Sequence, residues 1–387
     1  MARSEAGCFR RHCIETLYRP SVLALVCYAI YVAWLLYRHG NDATVFIYIG
    51  SYFTDRPGVV SQLVREIGFG PPYWRAGFDG QFYYYIALDP FKAWELLDTV
   101  ARYQRILYPM LVRLLSFGVL PTIPYLMIAV NLAFMVAGTE FLCRFLRLFQ
   151  LNPWYSIGYA FNIGLMVCLR RDLAEPIMCA LVIAAIYLVE TRGPTSLAGV
   201  LFSLALFTKE TAILFILPYT FWFLLHSRED RVRATIFALI AVLPYTLFQT
   251  FLFFRFGLVA FLGVGNLQTL TLIPFYGILQ TKRQFLELVS MITLIVIPAT
   301  ASLLLFLEGT LRRKSHHPLA MGLLLNALFL IFLPPPSYLD VFTYSRVALG
   351  IAIAWMSYAA VFHSRPLLAY SLVWAIPFQF MHVLWLL

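Results

Sequence analysis

Residues 74–90 read WRAGFDGQFYYYIALDP. This run cannot be a lipid-facing helix. It carries Arg75 and Asp79, places Gly80 directly after the acid, and then clusters Phe and Tyr. It also lies between strongly apolar regions. In a membrane chain, a segment this polar and aromatic must sit outside the hydrocarbon or line a wet cavity. The first expectation is therefore that Asp79 is a reactive carboxylate and that the surrounding helices hold a substrate against it.

The rest of the chain supplies that membrane setting. Of 387 residues, 61% are hydrophobic and only 12% charged, against about 25% charged in a soluble domain. Several apolar runs reach the roughly 17–25 residues that cross a bilayer. The expectation is an all-α polytopic membrane protein. The formal net charge of +10 reflects arginines at helix ends and is not a nucleic-acid signal. None of the six cysteines forms a CxxC pair, so neither a disulfide frame nor a zinc site is indicated. His316 and His317 fall in a basic loop and read as a solvated turn.

Arg3, Arg10, Arg11 and Arg19 precede the apolar run from Ser21 to Tyr37, and no small-residue cleavage site follows it. This reads as a cytoplasmic tail over residues 1–19 followed by an uncleaved first helix. Residues 20–387 form a single transmembrane domain, within which 39–121 is a large external catalytic loop. Inside that loop, 103–118 (YQRILYPMLVRLLSFG) holds Arg105, Arg113 and Pro109 and suits an interfacial helix. The expected spans are 20–38, 122–143, 154–169, 173–190, 196–208, 211–226, 233–255, 285–307, 319–333, 346–363 and 367–386, about eleven in all. The basic loops 226–233, 310–317 and 363–366 then all face the cytoplasm, as the positive-inside trend requires.

The same topology gathers a second set of polar residues on the external side with Asp79. They are Arg170, Arg171, Asp172 and Glu175, then Lys209 and Glu210, then Lys282 and Arg283 in the connection 256–284, and Arg346 at the end of PPPSYLDVFTYSR. Each has a plainer reading: Arg170 and Arg171 snorkel, Lys209 and Glu210 pair at the interface, and Arg346 anchors a helix end. Their recurrence on the face that ordinarily lacks cations favours a site.

Glycosyl transfer from a lipid phosphate suits this set. The acceptor hydroxyl has a pKa far above 7, so a placed carboxylate must take its proton as attack proceeds. The leaving lipid phosphate gains negative charge and needs fixed cations, for which Arg102, Arg105, Lys209 and Arg346 are the candidates. Aromatic faces pack against a sugar ring, and Gln81 and Tyr84 of the same run are expected substrate contacts, as are Arg171, Asp172, Glu175 and Glu210. Gly80 is expected to let the backbone turn tightly beside the acid. Asp79 has a competing reading as the N-cap of a short helix, Asp-Gly-Gln before FYYYIAL.

GFDGQFYYYIALDP, followed by RYQRILYPMLVRLLSFG, resembles the first external loop of the GT-C superfamily of integral-membrane glycosyltransferases. It is most similar to a bacterial group linked to cell-surface glycopolymer formation and more distantly similar to GPI mannosyltransferases. RRDLAEP (170–176) and FTKETAIL (207–214) resemble later elements of these families, so the resemblance covers roughly residues 70–215. It implies a GT-C-like fold and Asp79 as catalytic acid–base residue, with Glu175 and Lys209 as site residues. It further implies a polyprenyl-phosphate sugar donor, a glycan, lipid or protein acceptor, and a bacterial inner membrane with the site on its external face. Members with a D-x-D or adjacent acid pair differ, because Asp79 is followed by Gly80 and Gln81; no cofactor is expected, and a divalent metal is not indicated. Two alternatives are a flippase or transporter of lipid-linked sugars and a non-catalytic assembly partner. Transporters ordinarily show repeats and midplane charges, whereas no repeat is visible here and the charges lie at helix ends.

Overall fold

The structure is a computed structural model and describes residues 19–69, 75–226, 228–260, 271–280, 285–311 and 317–375. The basic tail before Arg19, Trp74, Lys282, Arg283, His316 and the end of the expected last span lie outside the described residues. Among the described residues all regular structure is helical. Five helices are long and apolar enough to cross a membrane: Pro20–Arg38, Leu120–Leu148, Arg231–Phe256, Phe285–Gly309 and Val341–Val361.

Their burial differs with composition. In Val341–Val361, 78% of the apolar window is buried, against 22% in Arg231–Phe256. The first is rich in small residues (Gly350, Ala352, Ala354, Ser357, Ala359, Ala360), which let neighbouring backbones approach closely. The second exposes Leu239, Leu247, Phe251 and Phe254, an apolar outer surface suited to lipid. Glu175–Glu190 is also internal; it packs on Ile123–Leu148 and on Thr195–Thr208.

The remaining expected spans are shorter or broken. Thr195–Thr208, Ile213–His226 and Pro318–Ile331 have 14 residues each, or about 21 Å at 1.5 Å per residue. The expected continuous span 154–169 is corrected. It divides into a 3₁₀ turn Pro153–Ser156, a short helix Ile157–Ala160 and a helix Ile163–Arg170. Asn162 causes the restart: its backbone is extended and its side chain accepts the Gly164 N–H at 2.8 Å, an N-cap inside an apolar run.

The connection after the first helix folds into short pieces that close over the bundle: Val59–Ile67, Gly80–Leu88, the 3₁₀ turn Val100–Arg105 and Leu107–Leu115. Leu107–Leu115 has nine residues, about 14 Å, too short to cross a bilayer. The Gly80–Leu88 helix is buried along its whole length, which explains why it is aromatic all round with no polar face. It ends at Asp89, which precedes Pro90 and has extended backbone. The Asp89 carboxylate accepts the N–H groups of Phe91 and Lys92 at 2.9 and 3.2 Å. Arg113 donates to the carbonyls of Ala87 and Leu88, so a cation from the Leu107–Leu115 helix closes this C-terminus.

Candidate functional site

Asp79 stands immediately before the Gly80–Leu88 helix, but its side chain makes no capping bond. The N-cap reading is thereby overturned. Instead, Asp79 Oδ2 accepts from Arg346 Nη1 at 2.6 Å, and Asp79 Oδ1 lies 3.1 Å from Arg102 Nη2. Burial pushes the Asp79 carboxyl upward, but Arg102 and Arg346 outweigh it and hold the group well below the usual carboxylate range.

Gly80 is required for a reason other than the expected turn. It does not take a positive φ; a Cβ there would collide with the Arg171 carbonyl oxygen. The turn is made by Gly77, with φ +65°. Gln81 then pins the loop. Its Oε1 accepts the Gly50 N–H and the Tyr85 hydroxyl, both at 3.0 Å, and its Nε2 donates to the Ala76 carbonyl at 2.8 Å. Gln81 also lines the cavity described below, but its amide is committed to backbone and Tyr85. Those bonds give Gln81 a positioning part at the cavity wall.

The 3₁₀ turn Val100–Arg105 supplies two cations. Thr99 caps it by accepting from the Ala101 N–H. Arg102 binds Asp98 through Nε at 2.9 Å and Nη2 at 2.8 Å, and its guanidinium lies 4.6 Å from the Phe82 ring centroid. Arg105 grips Glu210 through Nε at 3.0 Å and Nη2 at 2.6 Å. Lys209 pairs with Glu175.

Asp79, Asp98, Arg102, Arg105, Lys209, Glu210 and Arg346 line one cavity of about 600 Å³. That is within the usual range for a small-molecule site. The aromatic rings of Phe53, Phe78, Phe82 and Phe329 share the lining. Apolar lining comes from Met178, Ile213, Leu214, Leu333 and Val347. The cavity thus joins a charged cluster to hydrocarbon-like surface on the bundle helices. Both Asp79 oxygens face guanidinium groups, and among the described residues no three His, Cys, Asp or Glu side chains gather where a metal ion could be held.

Four expected contacts do not line the cavity. Tyr84 is fully buried inside the Gly80–Leu88 helix packing and its hydroxyl has no hydrogen-bond partner. Arg170 and Arg171 do not snorkel; they are 5% and 8% exposed. Arg170 donates to the Val45 carbonyl at 2.6 Å. Arg171 lies against aromatic rings, 3.7 Å from the centroid of Tyr48 and 5.1 Å from that of Phe342. Burial and the neighbouring Arg170 push its pKa down to about 10. Asp172 is buried beside Asn131 Nδ2 at 3.4 Å and the Tyr108 hydroxyl at 3.5 Å; desolvation raises its pKa well above the carboxylate range. Glu175 stands behind Lys209, 2% exposed. The placements of Arg170, Arg171, Asp172 and Glu175 share one cause: they lie between the end of Ile163–Arg170 and the start of Glu175–Glu190, on the side that packs against protein.

Asp98 and Asn326 were missed. Asp98 is four residues before Arg102, the spacing of a helical ion pair. Asn326 is a polar residue in the apolar helix Pro318–Ile331 and lines the cavity; a lone amide in such a helix is a functional signal. Compared with known proteins, the chain matches no family model, no curated protein sequence and no solved structure.

Proposed function

We propose that the protein is a membrane glycosyltransferase of the GT-C type. It moves a sugar from a polyprenyl-phosphate donor to a glycan, lipid or protein acceptor, with Asp79 as general base. One observation carries this reading: a carboxylate flanked by two arginines, in a cavity whose remaining lining is aromatic and aliphatic.

The chemistry assigns a part to each feature. The acceptor oxygen attacks the anomeric carbon while its proton passes to Asp79. The bond between that carbon and the phosphate oxygen breaks, and the electron pair leaves with the lipid phosphate. Arg346 and Arg102 stand beside Asp79 to offset the growing phosphate charge. The phenylalanine rings offer flat faces to the sugar, and the aliphatic lining accepts the first isoprene units.

In the full proposal the five long helices are joined by the three 14-residue apolar helices, by Glu175–Glu190, by the broken run 153–170 and by the terminal segment, an eleven-span arrangement. The N-terminus is cytoplasmic and the cavity opens to the external side of a bacterial inner membrane. Full-length protein in lipid nanodiscs, offered polyprenyl-phosphate hexoses and pentoses with a membrane-fraction acceptor, is expected to release polyprenyl phosphate. Asp79→Asn protein should not. Equal release by both proteins would remove Asp79 from the reaction.

A further inference from the structure

Every cation lining the cavity among the described residues already has an acidic partner. Arg105 holds Glu210, Lys209 holds Glu175, Arg102 holds Asp98 and Asp79, and Arg346 holds Asp79. An entering phosphate therefore meets no idle positive charge. To bind, it competes with a carboxylate for each of these cations.

The pairs are not equally ready to yield. The Arg105 and Glu210 side chains are 10% and 7% exposed, and those of Lys209 and Glu175 are 10% and 2%. Opening either pair would leave a charge buried and uncompensated, which is strongly unfavourable. Arg346 and Asp79 are wetter, at 17% and 19%. Arg346 also has a donor to spare: only its Nη1 reaches Asp79, while its Nε is buried without an acceptor. Arg102 has less freedom, because Nε and Nη2 both serve Asp98.

We propose that Arg346 is an exchangeable ligand, held by Asp79 in the free protein and handed to the donor phosphate on binding, so that the donor itself uncovers the base. This inference rests on the glycosyltransferase reading and specifies how its site is switched on. While two arginines hold it, Asp79 is a poor proton acceptor. Transfer then completes the exchange. The acceptor O–H proton neutralises Asp79 as the carbon–oxygen bond forms. The departing phosphate changes from a diester with one negative charge to a monoester that carries up to two. In one step the preferred partner of Arg346 moves from carboxylate to phosphate.

The consequence runs against ordinary expectation for a site residue. Asp79 competes with the phosphate, so removing its charge should tighten phosphate binding while abolishing transfer. The test is binding of undecaprenyl phosphate to the full-length protein in detergent micelles, followed by thermophoresis, with undecaprenol as the phosphate-free control. Asp79→Asn is expected to lower Kd on the order of tenfold, equivalent to about 1.4 kcal/mol, and Asp79→Ser should do the same should the first variant fold poorly. Arg346→Ala should weaken binding, and adding Asp79→Asn to it should restore much less than the gain seen alone. Inorganic phosphate as competitor should show the same ranking at lower affinity, which assigns the effect to the headgroup. Unchanged or weaker binding in a natively folded Asp79 variant overturns the exchange while leaving the glycosyltransferase reading standing. Wild-type protein that prefers undecaprenyl phosphate no more than undecaprenol overturns both.

Discussion

Arg105 and Glu210, 105 positions apart in the chain, are joined by two parallel hydrogen bonds of 3.0 and 2.6 Å. This fork ties the 3₁₀ turn after the Asp79 loop to the start of the Ile213–His226 helix region, so it fixes the loop on the bundle. The geometry is bidentate and both side chains are nearly buried. Breaking such a pair from one side costs roughly 3–5 kcal/mol, because the remaining charge is stranded. Glu210→Ala is expected to lower the unfolding temperature in detergent by several degrees and to reduce yield. An unchanged melting profile at fixed scan rate would mean that water already reaches Arg105.

Asp79→Asn should behave differently. The cavity is wetter at this position, so Arg102 and Arg346 can be solvated when their acid is lost. Loss of the base costs on the order of 10²–10⁴ in rate. The expected variant is therefore folded, elutes as wild type and is inactive in the nanodisc assay. Full activity would leave Asp79 as a purely structural anchor for Arg346.

The depressed pKa of Asp79 sets the sign of its pH dependence. A carboxyl whose folded pKa lies below its unfolded value, about 3.9, contributes stability that is present above that value and is lost as pH falls below it. Between pH 5 and 8 the pairs of Asp79 should leave stability flat. Kinetics separates free and loaded protein. The acidic limb of kcat/KM for the donor reports the free enzyme, and that of kcat reports the complex. Release of Arg346 on donor binding should place the kcat limb at higher pH than the kcat/KM limb. Coincident limbs would argue that Arg346 stays on Asp79 throughout.

The charged residues of the cavity stand out in the chain because an apolar context makes every carboxylate and guanidinium conspicuous. That is why Asp79, Arg102, Arg105, Lys209, Glu210 and Arg346 are legible in the sequence alone. Their pairings are not. Asp79 and Arg346 are 267 positions apart, and which side of a helix end faces the cavity depends on how neighbouring helices cross. The same limit explains Arg171 and Asp172, which sit one and two residues after Arg170 on a sharp left-handed turn, with φ +46° at Asp172, and point into protein. The break at Asn162 was hidden for another reason: hydropathy averages over the window that a single capping amide interrupts.

Asp172 gives a prediction of opposite sign. Desolvation raises its pKa, and hydrogen bonds from Asn131 and Tyr108 only partly offset this. A raised folded pKa contributes stability that is fully present below the unfolded value of about 3.9 and is lost as pH climbs through the folded value. Asp172→Asn mimics the neutral acid and cannot ionise. Wild type should lose melting temperature between pH 5 and 9, and the variant should lose less. Parallel curves for the two proteins would show that Asp172 is ionised inside the fold and compensated by Arg170.

Which side of the membrane the cavity opens on can be read from the ends of one helix. Leu120–Leu148 has 29 residues, about 43 Å, so its two ends emerge on opposite sides of the roughly 30 Å hydrocarbon. Phe117, just before it, is 89% exposed and belongs to the connection that carries Asp79. Leu148, at the far end, is 42% exposed and follows Arg144 and Arg147, the cations that mark a cytoplasmic end. In a background without native cysteines, Phe117→Cys should react with a membrane-impermeant maleimide on spheroplasts. Leu148→Cys should react only after permeabilisation. On the proposed function the donor is a lipid phosphate presented to the external leaflet, so the same preparation should turn over donor added from outside. The reverse labelling pattern would put the Asp79 cavity in the cytoplasm, where nucleotide sugars are available, and the case for a lipid-linked donor would lose its geometric basis.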